Sequence, residues 1–421
     1  MIVMKHFYST KICGILSIGL SSSYLIIICF LLFPNLVSSQ EKVADSSNKG
    51  KIKVSYLPNK GFELGTIDKN YSLQIGGRLQ FRFATPGDQN PLSYDEVYDN
   101  TEPVFKINRA RLKLGGNAFK PYLEYYFEYE LSQSNLLDFR VMFKKWKEMS
   151  IKIGQWKTYY SRERVISSGK QQMVERSIIN RPFTLDRQQG ISFYGRLFEE
   201  TLADVTYHLS VLTGTGRGAT ENDDGHLMYV GRLQWNFLGR EVSMSGSDLE
   251  FTEKPTGLVA FAGATNRSPY TRFSQAGGGQ LEGFEDGLPG QYRVNQFMFE
   301  TAFKYRGFSW QSEIHSKTID DKVNLRETTL TGNYFQAGYF FSNIVNFVPE
   351  SLEIAGRLAT YRLNIDIPDN LEHEYAMAFN WFFKGGHRNK ITTEFTYFAF
   401  QTALEGQDSG WRFRIQWDIS F

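Results

Sequence analysis

The residues of this 421-residue chain that are best suited to chemistry are basic, and many of them lie in one stretch. From Arg140 to Arg196 there are thirteen Lys and Arg residues against four acidic residues, a local excess of nine. Guanidinium and ammonium groups hold anions through charge-assisted hydrogen bonds. Reversible binding requires contacts that are strong enough to capture an anion and weak enough to release it. The stretch therefore indicates reversible anion binding rather than covalent chemistry.

Other reactive side chains are placed in ways that exclude most catalytic sites. The only cysteines, Cys13 and Cys29, lie in an N-terminal segment that we expect to be removed, which excludes a thiol nucleophile, a thiolate metal site and a disulfide framework. The glycine-rich run Gly214–Gly218 lacks the βαβ context of a nucleotide site. The histidines beyond the N-terminal segment have neither the spacing of a metal site such as HExxH nor a serine in a nucleophile-elbow motif beside them. They are His208, His226, His315, His373 and His387. We expect no cofactor and no bound metal.

The start of the chain predicts export. Lys5 and Lys11 precede an apolar run from Ile12 to Phe33, and small residues follow before Gln40. This order is typical of a secretory signal peptide, here residues 1–39, although the run is also long enough to be an uncleaved membrane anchor. Removal of the two lysines takes the formal charge from +2 to 0. Such a balance gives no support for a nucleic-acid partner.

Strict alternation of apolar and polar residues defines the rest of the chain. At the C-terminus, one face carries Trp411, Phe413, Ile415, Trp417, Ile419 and Phe421, and the other carries Arg412, Arg414, Gln416, Asp418 and Ser420. Tyr71 to Phe83 alternates in the same way. A strand between lipid and a wet lumen requires this period over its whole length.

About sixteen such segments follow one another, an even number as closed bacterial barrels require. The sequence therefore predicts an all-β fold, a transmembrane antiparallel β-barrel over residues 70–421, preceded by a periplasmic lead-in over residues 40–69. A soluble sandwich would also alternate, but aromatic residues such as Trp381, Tyr397 and Trp417 cluster at strand ends, as interface girdles require.

The connections vary in length, and one of them is unusual. Lys384–His387 is tight, whereas Phe83–Phe105 and Asn266–Tyr292 are long, as expected for short periplasmic turns and long external loops. Residues 155–189 are too long and irregular for a simple turn and carry much of the basic excess. If this third loop folds inward, it narrows the lumen and focuses anions. The alternative is an external loop whose basic residues contact lipopolysaccharide.

Several motifs resemble the phosphate-selective porins of the O and P type. The resemblance runs from about Gly61 to Phe421 and includes Ile75–Gln80, Arg109–Leu112, Ile151–Lys157 and Phe379–Phe382. It implies a sixteen-stranded porin in the outer membrane of a Gram-negative bacterium, usually a homotrimer, in which the third loop enters the pore. The implied solutes are small anions, with phosphate or polyphosphate as candidates.

The resemblance also implies which residues line the anion path. Carried over to this chain, they are Arg78, Arg109, Arg111, Lys152, Lys157, Arg162, Arg164 and Arg176. No arginine ladder of regular spacing is present, and the inward acids Glu124, Glu128 and Glu130 follow the basic residues of the second strand. Arg109 and Arg111 can therefore either pass an anion along the wall or pair with these carboxylates.

Partners follow from the same interpretation. They are outer-membrane lipid, lipopolysaccharide, small anionic solutes and the barrel-assembly machinery, which would recognise the terminal aromatic residue Phe421. That residue is otherwise simply the last lipid-facing side chain. The alternative functions are an outer-membrane receptor or adhesin that binds through its loops and, less favoured, a barrel hydrolase.

Overall fold

The computed structural model describes residues 51–57, 61–98, 101–273, 278–384, 386–401 and 408–421. The predicted signal peptide, residues 1–39, lies outside them. The strands are β1 Ile52–Leu57, β2 Gly61–Thr66, β3 Ser72–Thr85, β4 Val104–Asn117, β5 Leu123–Glu130, β6 Asn135–Phe143, β7 Ser150–Lys157, β8 Arg187–Leu197, β9 Val205–Leu212, β10 Met228–Trp235, β11 Thr256–Ser268, β12 Tyr292–Tyr305, β13 Phe308–Asp321, β14 Arg326–Tyr339, β15 Leu352–Arg362, β16 Leu371–Phe382, β17 Asn389–Phe400 and β18 Ser409–Ser420.

Helices are few and short. They are α1 Tyr94–Tyr98, α2 Arg162–Val165 and α3 Asn180–Phe183, with 3₁₀ turns at Ser168–Lys170, Phe341–Asn343 and Gly386–Arg388. Among the described residues, no helix has the length and apolar character needed to span a membrane.

The strands form a closed barrel. Each strand from β3 to β18 pairs antiparallel with the next, and β18 pairs back with β3, from Phe413 opposite Thr85 to Ser420 opposite Arg78. The predicted sixteen-stranded barrel is therefore confirmed. Closure pairs every strand on both sides and removes the exposed edges that an open sheet would leave.

Side-chain burial in the barrel is the reverse of that in a soluble protein. On β18, Trp411 and Trp417 are 48% and 43% exposed, whereas Arg412 and Arg414 are 5% and 0% exposed. A sandwich would bury the tryptophans between its sheets. Here the apolar face points outward, toward the position of lipid, and the charged face points into the lumen.

The closing seam ends at the last residue of the chain. The Gly77 amide donates to the Phe421 carbonyl at 2.9 Å, and the Phe421 amide donates to the Gly77 carbonyl at 3.1 Å. A Cβ atom at position 77 would lie 2.4 Å from the ring of Phe421. Glycine is therefore required here because the terminal ring lies directly over its Cα.

A small hairpin precedes the barrel. Strands β1 and β2 pair with each other, and β2 also pairs with Ser72–Ile75 at the start of β3. Because β18 pairs with β3 only from Arg78 onward, the hairpin occupies the free edge of β3 below the seam. The region predicted as a polar lead-in, residues 40–69, thus contains two strands that its sequence pattern did not predict.

The two ends of the barrel differ in their connections. At the end where β3 begins and β18 finishes, most turns are short, such as Arg306–Gly307 between β12 and β13. The longest connection at this end is residues 236–255 between β10 and β11, which we call the lumen turn. The opposite end carries the long connections 86–103, 158–186 and 269–291. We call residues 158–186 the lumen loop.

We predict that Gly77→Val destabilises the barrel, because the added atoms displace the Phe421 ring at the seam. The free energy of unfolding in urea should fall by about 1–3 kcal/mol, as is usual for overpacking. Gly65→Val is the matched control, since its nearest neighbours would lie at an ordinary 3.7 Å. Equal unfolding midpoints for the two variants would contradict the role assigned to the terminal ring.

Candidate functional site

The lumen loop lies inside the barrel. Its residues are almost all buried, including Arg162 at 2%, Gln172 at 0% and Phe183 at 0% exposure. The inward fold predicted for the third loop is therefore confirmed, with bounds three residues inside the predicted 155–189 at each end. The alternative position, outside the barrel against lipopolysaccharide, is wrong for this segment.

Carboxylates on one side of the barrel hold the loop by its backbone. Amides of the loop donate to side chains of β13, β16 and β17: Glu163 N to Glu313 at 2.8 Å, Ile178 N to Glu374 at 2.7 Å and Val174 N to Glu394 at 2.8 Å. Irregular backbone in a buried position needs a partner for each N–H group. Ionised carboxylates are strong acceptors, so they supply these partners on a rigid support. We call Glu313, Glu374 and Glu394, together with Glu353 on the neighbouring strand β15, the acidic wall.

Apolar packing reinforces these hydrogen bonds. Ile178, Ile179 and Phe183 of the loop belong to one buried cluster with Ile319 and Leu330 of the barrel wall. Each such side chain contributes about 1.5–3 kcal/mol when it is fully buried. The loop therefore has its own hydrophobic core within the lumen.

The lumen turn enters the barrel from the other end and is held by one lysine. The Lys304 ammonium on β12 donates to Ser243 Oγ at 2.9 Å, to Ser245 Oγ at 2.7 Å and to the Ser247 carbonyl at 2.7 Å. A buried ammonium needs acceptors for its three protons. The length of this turn, unexpected at this end of the barrel, thus has a structural reason.

The turn and the loop meet beside the acidic wall. Gly246 N donates to the Lys170 carbonyl at 2.7 Å, and Ser247 Oγ donates to Glu353 at 2.6 Å. Gln172 of the loop donates to the same carboxylate, also at 2.6 Å. The loop and the turn together occupy the side of the lumen next to β12–β17.

The remaining side of the lumen contains two adjoining cavities. The first, of about 180 Å³, lies between the loop and strands β4–β8, and we call it the basic cavity. Its charged lining residues are seven cations and two acids, namely Arg109, Arg111, Lys157, Arg164, Arg176, Arg187, Arg217, Glu130 and Asp186. The second, of about 200 Å³, includes Asn90 of connection 86–103, and we call it the outer cavity. The two share Arg109, Arg164 and Arg176.

Several of these cations are paired with carboxylates. Arg109 contacts Glu175 at 2.9 Å, while Arg111 contacts Glu128 at 2.8 Å and Glu130 at 2.7 Å. The pairing that the sequence left open for Arg111 is therefore present. Glu124, the third inward acid, instead contacts Lys144.

Two acids of the loop remain ionised beside the arginines. Burial acts to raise the pKa of Glu175, but the guanidinium groups of Arg109 and Arg82 hold it well below its usual range. Burial also opposes ionisation of Asp186, yet Arg164 and Arg187 lower its pKa to about 2. These carboxylates cancel part of the positive charge at any ordinary pH.

Three basic residues of the basic cavity lack a carboxylate partner among the described residues. Within the part of the chain that the structure describes, Lys157, Arg176 and Arg217 have no carboxylate within ion-pair distance. Arg176 is nevertheless fixed, because it donates to the carbonyls of Glu163 at 2.9 Å and Ile166 at 2.8 Å. The Arg176 guanidinium is therefore both held in place and, in the described part of the chain, free of a carboxylate partner.

Five of the eight residues predicted for the anion path line the basic cavity. They are Arg109, Arg111, Lys157, Arg164 and Arg176. Arg78 lies beside it and donates to Ser167 at 2.7 Å and to Ser168 at 3.2 Å, the second of which is a lining residue.

The other two predicted residues lie elsewhere. The Arg162 guanidinium points to the lumen turn, where it contacts the Ser243 carbonyl and Met244 Sδ, and it does not line either cavity. Lys152 lies among the rings of Trp156, Tyr159 and Tyr194 and lines neither cavity.

Two cavity residues were absent from the predicted set. Arg187 begins β8 and belongs to the same basic stretch, so its charge was a usable signal. Arg217 lies in the glycine-rich run Gly214–Gly218, which is part of the connection between β9 and β10. It reaches the cavity because Gly216 N and Gly218 N donate to Gln188 and Gln155 of the wall. Among the described residues, no group of three or more His, Cys, Asp or Glu side chains is arranged to hold a metal ion.

Known proteins are similar to this chain in sequence and in fold. The family model described as phosphate-selective porin O and P matches residues 74–410. The chain belongs to this family of outer-membrane porins. Porin O of Pseudomonas aeruginosa is 26% identical to it over 194 residues, which are 42% of this chain and 39% of that protein. The match thus spans about two fifths of this curated relative.

Solved porins share the fold at low identity. An anion-selective porin from Comamonas acidovorans is 9% identical, with a TM-score of 0.51 over 83% of this chain and 100% of that one. A loop-deletion mutant of OmpT from Vibrio cholerae is 11% identical, with a TM-score of 0.53 over 84% and 100%. OmpF of Salmonella typhi, in a complex with daunomycin, is 9% identical, with a TM-score of 0.53 over 84% and 99%. At these identities the comparison establishes the barrel architecture of this porin alone.

We predict that Lys304→Met releases the lumen turn of this porin, because the ammonium that holds three acceptors is lost. Trypsin should then cut the folded protein after Arg240 in the turn, and single-channel conductance should rise. Lys322→Met, which removes an exposed lysine at the opposite end, is the control. Digestion patterns identical to those of the unmodified porin would show that Lys304 does not hold the turn.

Proposed function

We propose that this porin conducts small anions through the outer cavity and the basic cavity, past Lys157, Arg176 and Arg217. The observation that carries the proposal is that these three basic residues line a cavity between the loop and the wall and have no carboxylate partner among the described residues. A confined lining in which basic residues outnumber acids raises the local concentration of anions. Small oxyanions, phosphate among them, are the solutes that this lining favours.

An anion crosses by exchanging its water for N–H donors. Guanidinium and ammonium donors form charge-assisted hydrogen bonds with it. The acids Glu175 and Asp186 weaken the hold of the neighbouring arginines, which allows release toward the next site. Arg109, Arg164 and Arg176 border both cavities, so they are positioned to pass an ion from one to the other.

The remaining predictions belong to the same proposal. The porin is exported with cleavage of residues 1–39, and it forms a homotrimer in the outer membrane, among lipid and lipopolysaccharide. Phe421 is the residue that the barrel-assembly machinery recognises. The protein has no catalytic activity; family membership favours a channel over the receptor, adhesin and hydrolase alternatives.

We predict that the purified porin gives a reversal potential in a KCl gradient that favours chloride over potassium. Lys157→Glu should reduce the anion-to-cation permeability ratio by about tenfold, because it replaces attraction with repulsion inside the cavity. Lys145→Glu makes the same charge change on an exposed turn and should leave the ratio unchanged. Preference for potassium in the unmodified porin would refute the proposal, and an unchanged ratio for Lys157→Glu would place the path elsewhere.

A further inference from the structure

Lys152 occupies a setting unlike that of the other lumen cations. Its side chain is 6% exposed, and its ammonium lies 4.7 Å from the ring centre of Tyr194, 4.9 Å from that of Tyr159 and 5.5 Å from that of Trp156. Tyr159 belongs to the lumen loop, whereas Tyr194 is on β8. Loop and wall therefore jointly surround this ammonium with aromatic rings.

A histidine completes the arrangement. The ring of His208 on β9 stacks on Tyr159 at 4.1 Å with an angle of 22°, and on Tyr194 at 5.5 Å with an angle of 10°. The stack Tyr159–His208–Tyr194 is thus continuous, with the Lys152 ammonium over both tyrosines. We call these four residues the aromatic site.

The aromatic site has polar groups without partners. Within the described residues, Lys152 makes no hydrogen bond or ion pair to any other side chain or carbonyl, and the nearby Arg140 is paired with Asp138. Tyr194 Oη and His208 Nδ1 are also buried without a hydrogen-bond partner. Contact with ring faces attracts a cation but accepts none of its N–H groups in ordinary geometry. Such unpaired groups in native proteins call for an explanation, and a ligand is one.

The site borders a route to solvent. Met142 is the cross-strand partner of Lys152, and both Met142 and Arg140 line a cavity of about 920 Å³ between the hairpin β1–β2 and the wall. Tyr159 and Tyr194 are themselves only partly buried. The cavity therefore extends to the cross-strand neighbour of Lys152, which is the side from which we expect a solute to reach the aromatic site.

We propose that the aromatic site binds an aromatic carboxylate, such as benzoate, on its way through the porin. The inference rests on the proposed function, because the lumen must admit anions. The carboxylate accepts hydrogen bonds from the Lys152 ammonium, and the Tyr194 hydroxyl supplies a further donor. The ligand ring packs against the tyrosine rings in offset or edge-to-face geometry. An aliphatic carboxylate forms the same hydrogen bonds but makes no contact with the ring faces, so the surrounding rings favour the aromatic class.

The test measures block of chloride current in planar bilayers. Added sodium benzoate should reduce the current in a saturable way, whereas sodium acetate at equal concentration should reduce it far less. Lys152→Met keeps the length of the side chain and removes its charge, and should weaken the apparent benzoate affinity by about tenfold or more. Tyr194→Leu, which keeps Lys152, should weaken it to a lesser extent and serves as a second variant if Lys152→Met fails to fold.

Lys157→Met separates the inference from the proposed function. It removes an unpaired lysine of the same strand from the basic cavity, so it should lower chloride preference and leave the affinity for benzoate unchanged. Calorimetric titration of the detergent-solubilised porin with benzoate gives a readout that does not depend on ion selectivity. Equal block by acetate and benzoate, or benzoate binding that Lys152→Met leaves intact, would overturn the aromatic site even if the channel prefers anions. A cation-selective channel that still binds benzoate through Lys152 would instead refute only the anion path.

Discussion

The hydrogen bonds between the acidic wall and the backbone of the lumen loop are the constraint on which the rest of the lumen depends. A loop of irregular backbone inside a barrel has amide groups that neither a helix nor a sheet satisfies. Glu313, Glu374 and Glu394 accept three of them from fixed positions on three strands. Because the strands are rigid, the loop is held in one place, and so are the side chains that it carries toward the opposite wall.

This attachment also separates charge across the lumen. The acids on one side are engaged by the loop, while the arginines and lysines of the other side border open space. The loop brings its own acids, Glu175 and Asp186, and both contact arginines. A chain with a formal net charge of only +2 can therefore present a positive path, since the acids nearest the path hold the loop or pair with arginines. Net charge predicts little about a pore, because only the charge that borders the path acts on an ion.

The barrel was predictable from sequence because its alternation follows directly from strands between lipid and water, as on β18. The third loop was predictable from its length and charge. Which arginine faces the path was not, because Arg162 and Arg164 lie on one short helical turn and point to different partners, the lumen turn and Asp186. Arg217 and the lumen turn depend on contacts between residues distant in sequence, such as Lys304 with Ser245. The alternation of apolar and polar residues indicates which face of a strand each side chain occupies. It does not indicate which other segments of the chain fold against that face.

Lys152 and Lys157 show how far the loop decides the chemistry of the wall. Five positions separate them on β7, so strict alternation would place them on opposite faces. Both nevertheless reach the lumen, and the backbone between them is irregular at Gly154, whose φ is 125°. Tyr159, two residues beyond Lys157, covers Lys152 with a ring, while Lys157 remains among arginines. One segment thus gives two lysines of the same strand different surroundings, so changes in the loop are able to alter solute preference without any change in the barrel.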